Sequence, residues 1–189
     1  MEQGIEQVRR RLSRVAQSLS DAGVPYAVVG GNAVAAWVSR VDESAVRNTR
    51  DVDILLRPED GERARLALEA AGFVHRRVSS LGKAGSMDVF LDGPESKIRD
   101  AVHVLWAGEK ALPDAVEATP ALDETEAGDG FALVPLESLV RMKLISFRDK
   151  DRVHLRDMAS VGLLDESWVE RFPPLLGDRL QAILDDPEG

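Results

Sequence analysis

Two aspartates separated by a single residue, Asp51 and Asp53, stand in the run Asp51-Val52-Asp53-Ile54-Leu55-Leu56. A short run that is otherwise apolar reads as a strand, and the period of two along a strand puts both carboxylates on one face. Like charges that close repel, and burial raises the cost of each, so a strand keeps such a pair most easily with a cation between them. Mg²⁺ suits hard oxygen donors and completes its shell with water and substrate phosphates. The spacing predicts a site for metal and nucleotide, with Asp51 and Asp53 as the metal ligands.

Upstream, the apolar run Ala27 to Val29 ends in Gly30 and Gly31, and residues 32–40 are compatible with a helix. A strand that delivers its end to a helix N-terminus offers unpaired backbone N–H groups to a phosphate. Glycine matters there because a Cβ would hold the phosphate away. Gly30, Gly31 and Asn32 are the candidate triphosphate donors. The polar loop that follows ends in Thr49 and Arg50, and Arg47 and Arg50 are placed where they can reach phosphates.

A lysine raises a second question of charge. After Pro135, residues Leu136, Leu139, Val140, Leu144 and Phe147 form one apolar helical face with Lys143 in its middle. A buried ammonium needs a partner. Lys143 either snorkels, pairs with an acid such as Asp157, or points into the cleft toward phosphate. Asp151, His154 and Asp157 share one side of the next helix and read as salt bridges and packing rather than a metal site.

The elements that must position these groups follow from local pattern. Ile5, Val8, Leu12, Val15 and Leu19 make one apolar stripe on a helix ended by Gly23, with Arg9, Arg10, Arg11 and Arg14 as a solvated basic face. Residues 58–71 carry a proline and acids at the start and Gly72 at the end, which predicts a helix. Short apolar alternations predict strands over residues 73–80, 86–91 and 101–106, the last two forming a hairpin. Strand, helix, strand is the order of an α/β domain. Residues 112–130 hold two prolines, six acids and no base, and read as an extended connection to a helical tail that ends in a helix over 175–184.

The chain has 189 residues, no cysteine and a net charge of −9. Disulfides and thiolate metal sites are excluded. The charge argues against sequence-independent nucleic-acid binding, which depends on neutralising phosphates. No apolar run of about 18 residues exists and the N-terminus lacks the apolar region of a signal peptide, so the expectation is a cytoplasmic protein with no membrane association.

Gly-Gly at a helix start followed by Asp-x-Asp on the next strand resembles the nucleotidyltransferase superfamily related to DNA polymerase β. Within it, LESLVRMKL…RDKDRVHLRDM and AVHVLWAGE are similar to the bacterial AbiEii-like nucleotidyltransferases, often found in toxin–antitoxin and phage-defence loci. The similarity spans roughly residues 22–165. It implies an α/β (α+β) fold with a mixed sheet flanked by helices and a C-terminal helical segment. Residues 1–111 would form the core, 112–130 an acidic linker, and 131–189 a helical region completing the cleft.

The resemblance implies transfer of a nucleoside monophosphate from an NTP to an acceptor hydroxyl on RNA, protein or a small molecule, with two Mg²⁺ ions. Gly30, Gly31, Asn32, Thr49, Arg50 and Lys143 would bind the nucleotide. The superfamily adds a third carboxylate from a later strand, and two positions compete here: Asp88, placed first, and His103. A cognate antitoxin is an expected partner if the protein is a toxin. The alternatives are a catalytically degenerate member that binds nucleotide or a partner, and a metal-dependent phosphohydrolase.

Overall fold

The computed structural model describes residues 2–79, 86–111 and 113–189. Ser80, the end of the third expected strand, and Leu112, the start of the expected acidic connection, lie outside the described residues. Seven strands form one mixed sheet among the described residues: β1 (Tyr26–Val29), β2 (Val52–Leu56), β3 (Val74–Ser79), β4 (Ser86–Leu91), β5 (Val102–Trp106), β6 (Glu126–Ala127) and β7 (Ala132–Leu133). Their spatial order is β3-β4-β5-β2-β1-β7-β6. The aspartate strand β2 lies near the centre, antiparallel to β1 and parallel to β5. The expected pairing of β4 with β5 is present and antiparallel.

Alternation along each strand feeds two cores. Val28, Ile54, Leu56, Val102 and Val104 pack beneath α1 (Glu2–Asp21) and α3 (Gly61–Ala70). Ala27, Val29 and Leu55 face the other way, under α2 (Gly30–Ser39), α4 (Leu136–Ser146), α5 (Asp149–Ser160) and α6 (Pro174–Asp185). Fully buried Leu19, Ile54, Leu68, Leu139 and Leu180 each contribute about 1.5–3 kcal/mol of apolar burial. The acidic stretch also enters the packing: Leu122 joins the second core, and residues 126–127 pair with β7 at the sheet edge.

The basic face of α1 differs from the expectation. Arg11 is 5% exposed, not solvated. Its Nε donates to Asp92 Oδ2 at 2.7 Å and its Nη1 to the Arg50 carbonyl at 2.9 Å. Arg14 donates to Asp92 at 2.7 Å and lies 3.9 Å over the Phe73 ring. A carboxylate delivered by the turn after β4 makes the burial of Arg11 tolerable. Through Arg11, α1 clamps the residue that leads into Asp51.

Candidate active site

The end of β1 meets the start of α2 at Gly30, whose φ of +65° is the left-handed conformation that favours glycine. A Cβ on Gly31 would lie 2.9 Å from the Thr49 Cβ. The two glycines let the helix N-terminus close onto the segment carrying the aspartates. Thr49 then donates its hydroxyl to Asp51 Oδ1 at 2.6 Å, and the Asn32 amide donates to the Asp51 carbonyl at 2.7 Å. Asn32 thus fixes the backbone at Asp51, a task that its expected phosphate contact did not include.

Asp51 and Asp53 lie together, as their spacing required, and the third member of their group is His103. One ligand atom from each of the three falls within 4.8 Å of the others. His103 Nδ1 is 3.2 Å from Asp53 Oδ1 and 3.9 Å from Asp51 Oδ2. Register explains the meeting, because Asp53 and His103 are directly opposite in the parallel β2–β5 pair. Three such donors, two hard oxygens and an imidazole, fit a divalent cation.

Asp88, placed first for the third position, is not brought to the aspartates. Val89, its neighbour, is the residue paired with His103, so Asp88 points to the opposite face of the sheet. There it accepts from His75 Nε2 at 2.8 Å and from Arg77 at 3.4 Å. These residues line a cavity of about 230 Å³ with Trp106 and Glu62, away from the glycine turn.

The electrostatics answer to the same contacts. Burial pulls the Asp51 carboxyl upward, but the Thr49 hydroxyl, the Lys150 ammonium and His103 outweigh it and hold it below the usual carboxylate range. Burial also opposes charge on His103, yet the hydrogen bond and charge of Asp53, with the Ile98 carbonyl and Asp51, raise it above the ordinary imidazole value. Asp51 is thereby favoured in its ionised form, and a cation, Lys150, already stands beside it.

Lys143 is 6% exposed and donates to Asp151 Oδ1 at 3.0 Å. Its partner is Asp151 rather than Asp157, which instead accepts from Arg47 at 2.8 Å. Asp151 also takes the Ser146 hydroxyl at 2.7 Å and Arg148 Nε at 2.8 Å, which fixes the tight turn between α4 and α5. That turn needs Phe147 in the left-handed region, at φ 44°.

One turn-forming consequence escaped the sequence. Lys150, 52% exposed along its side chain, reaches to 3.6 Å from Asp51 Oδ1. The signal was present in the shared side of α5, since Lys150, His154 and Asp157 follow one another at helical spacing. Arg50 is exposed beside Asp51. His154 is buried, and its Nδ1 has no hydrogen-bond partner among the described residues.

A sequence model of the family described as an uncharacterised nucleotidyltransferase matches residues 2–109. That span contains Gly30, Gly31, Asp51, Asp53 and His103. No curated protein matches the sequence. Among solved structures, the fold is similar to the solution structure of the antibiotic-resistance factor ANT(2'')-Ia, with a TM-score of 0.53 and 16% identity over 96% of this chain and 93% of that one. JHP933 from Helicobacter pylori gives a TM-score of 0.49 and 17% identity over 100% of this chain and 77% of its own. No helix among the described residues is long and apolar enough to cross a membrane.

Proposed function

This chain belongs to the nucleotidyltransferase family, and from that premise we propose that it moves a nucleoside monophosphate from an NTP to an acceptor hydroxyl with Mg²⁺ as cofactor. The observation that carries the reading is the convergence of Asp51 and Asp53 beside the N-terminus of α2, which sets potential metal ligands next to backbone N–H groups of the kind that bind phosphate. In the transfer, the acceptor oxygen bonds to the α-phosphorus, the bond to the bridging oxygen breaks, pyrophosphate leaves, and the acceptor proton passes to water.

The residues divide the work. Asp51 and Asp53 hold the metal, and Thr49 keeps Asp51 aligned. Backbone N–H groups at Gly30 and Gly31 meet the phosphates, with Asn32 bracing the turn and Arg50 at its side. Lys150, exposed beside Asp51, supplies the cation for the triphosphate, whereas Lys143 acts through Asp151 by fixing the start of α5. Asp51 and Asp53 would hold Mg²⁺, as two ions, and the bound metal would supply charge neutralisation for a leaving pyrophosphate and acidification of the acceptor hydroxyl.

In this reading, residues 1–111 form the catalytic core, 112–130 connect, and 131–189 complete the cleft by bringing Lys150 to Asp51. The tail motif supports an AbiEii-like enzyme of toxin type with a cognate antitoxin, working in the cytoplasm where NTP is available. The acceptor is RNA, protein or a small molecule.

Incubation of the purified protein with each α-³²P-labelled NTP, Mg²⁺ and cell extract, beside Asp51→Ala/Asp53→Ala, tests the reaction. Label entering one acceptor fraction with the wild type alone is the expected result. Retained NTP binding with no transfer by folded protein would overturn it in favour of a catalytically degenerate binder. An imidazole where a third carboxylate was expected is the feature that favours that second reading.

A further inference from the structure

The peptide planes on either side of a residue set its φ and ψ, and with them the direction of its Cβ. At Asp51 both planes are held from outside the strand. In the plane before it, the Arg50 carbonyl accepts from Arg11 Nη1 at 2.9 Å. In the plane after it, the Asp51 carbonyl accepts from the Asn32 amide at 2.7 Å, and the Val52 N–H donates to the Ala101 carbonyl at 3.1 Å. Asn32 stands in α2 beside the glycine turn. Arg11 comes from α1, which packs on the other face of the sheet.

Arg11 is 5% exposed on the same helix as buried Val8, Leu12 and Val15. An apolar side chain in its place would avoid the cost of taking a guanidinium out of water. What the guanidinium adds is a set of directed donors. Nε and Nη2 reach Asp92 Oδ2 at 2.7 and 2.6 Å, which leaves Nη1 for the Arg50 carbonyl. Asp92 in turn opens the segment that ends at Ala101. Within that segment the Ile98 carbonyl lies 3.0 Å from His103 Nε2, and the Ala101 carbonyl takes the Val52 N–H. One guanidinium ties together the two segments on which the placing of Asp51 and His103 depends.

We propose that Arg11 is a positioning residue of the Asp51-Asp53 centre: from the far face of the sheet it fixes the peptide before Asp51 and, through Asp92, the segment that braces His103, so that divalent-cation affinity depends on it. The proposal rests on the transfer reading only in taking Asp51 and Asp53 as the metal ligands. Groups that orient a metal's ligands change its affinity by about 10–100-fold when they are removed. Lysine is no substitute, because its ammonium lacks the planar fork that spans a carboxylate and a carbonyl together. Arg14 supplies an internal comparison. It stands one turn along the same helix and donates to the same carboxylate, at Asp92 Oδ1 and 2.7 Å, but its guanidinium lies over the Phe73 ring rather than at the Arg50 carbonyl.

The test is titration of the full chain with Mn²⁺ as a spectroscopic stand-in for Mg²⁺, the free ion being read from its electron paramagnetic resonance signal. Wild type, Arg11→Lys, Arg14→Met and Asp51→Ala/Asp53→Ala are compared, each with a urea unfolding curve. Folded Arg11→Lys should bind Mn²⁺ about tenfold or more weakly than wild type. Arg14→Met should lose stability yet keep its affinity within about twofold. A purely structural role for Arg11 would lower the stability of both variants and move neither affinity. Wild-type affinity in Arg11→Lys, or an equal loss in Arg14→Met, would overturn the proposal. Should Arg11→Lys not fold, Asp92→Glu keeps the ion pair but shifts the guanidinium off the Arg50 carbonyl by the length of a methylene. That variant should weaken Mn²⁺ binding several-fold, and unchanged affinity in it would again overturn the proposal. Binding that Asp51→Ala/Asp53→Ala abolishes and Arg11→Lys leaves intact would keep the transfer reading and remove Arg11 from it. Wild-type protein that binds no Mn²⁺, or binds it equally without the two aspartates, would refute the metal assignment itself and the positioning role with it.

Discussion

A Cβ at residue 30 would sit 1.9 Å from Oδ2 of Asp53, inside the carboxylate itself. Gly30 is therefore what allows Asp53 its position, in addition to freeing the backbone turn at φ +65°. Gly30→Ala should displace the carboxylate and cost roughly 1–2 kcal/mol for the left-handed backbone alone. Nucleotide transfer should fall by about a hundredfold or more, because misplaced reacting groups lose rate steeply. Label transfer measured beside urea unfolding checks both, and full activity in the alanine variant would refute the role given to Asp53.

Asp53→Asn keeps the shape of the side chain and removes its charge. We expect loss of transfer by about a thousandfold or more, since metal-assisted charge stabilisation is worth several kcal/mol. Stability should change by no more than about 1 kcal/mol, as removal of one of two neighbouring like charges offsets the weakened contact to His103. A variant that transfers normally would remove Asp53 from the chemistry.

Lys143 and Lys150 should separate cleanly. Lys143→Met leaves Asp151 buried with one cation fewer, so unfolding free energy should drop by about 3–5 kcal/mol. Lys150→Ala should leave stability within about 0.5 kcal/mol. It should instead raise KM for the NTP by roughly tenfold or more, the value of one charge-assisted contact. Urea unfolding and steady-state kinetics on the two variants decide the assignment, and an unchanged KM in Lys150→Ala would sink it.

His154 sets a pH dependence of stability. Burial, together with the positive charges of Lys143 and Lys150, lowers its pKa from 6.5 to about 4. As pH falls, the unfolded chain takes up this proton first, so protonation favours unfolding. The stabilisation is whole above pH 6.5 and is lost as pH falls toward 4, with a magnitude of roughly 2–3 kcal/mol. His154→Leu should reduce the difference between the unfolding free energies from urea titrations at about pH 7.5 and pH 4.5 by that amount. An identical pH dependence in both proteins would show that His154 is not buried neutral.

What the sequence by itself determined is what local geometry determines. The apolar stripe of α1, the strand period that puts Asp51 and Asp53 on one face, and the glycine pair at the start of α2 all depend on neighbours within a few residues. The order of those elements pointed to an α/β domain, and the mixed sheet flanked by helices that the family resemblance implied is the form the fold takes. Tertiary structure alone decided which distant side chains meet. Asp88 and His103 were both plausible third groups, because each sits in an apolar strand. The pairing of Val89 with His103 chose between them in space, and a shift of one residue would have turned Asp88 inward instead. The partner of Lys143, the burial of Arg11 against Asp92 and the reach of Lys150 to Asp51 likewise depend on how separate elements pack. Period within a strand or helix is written into the chain, whereas register and docking between elements are fixed only when both cores close.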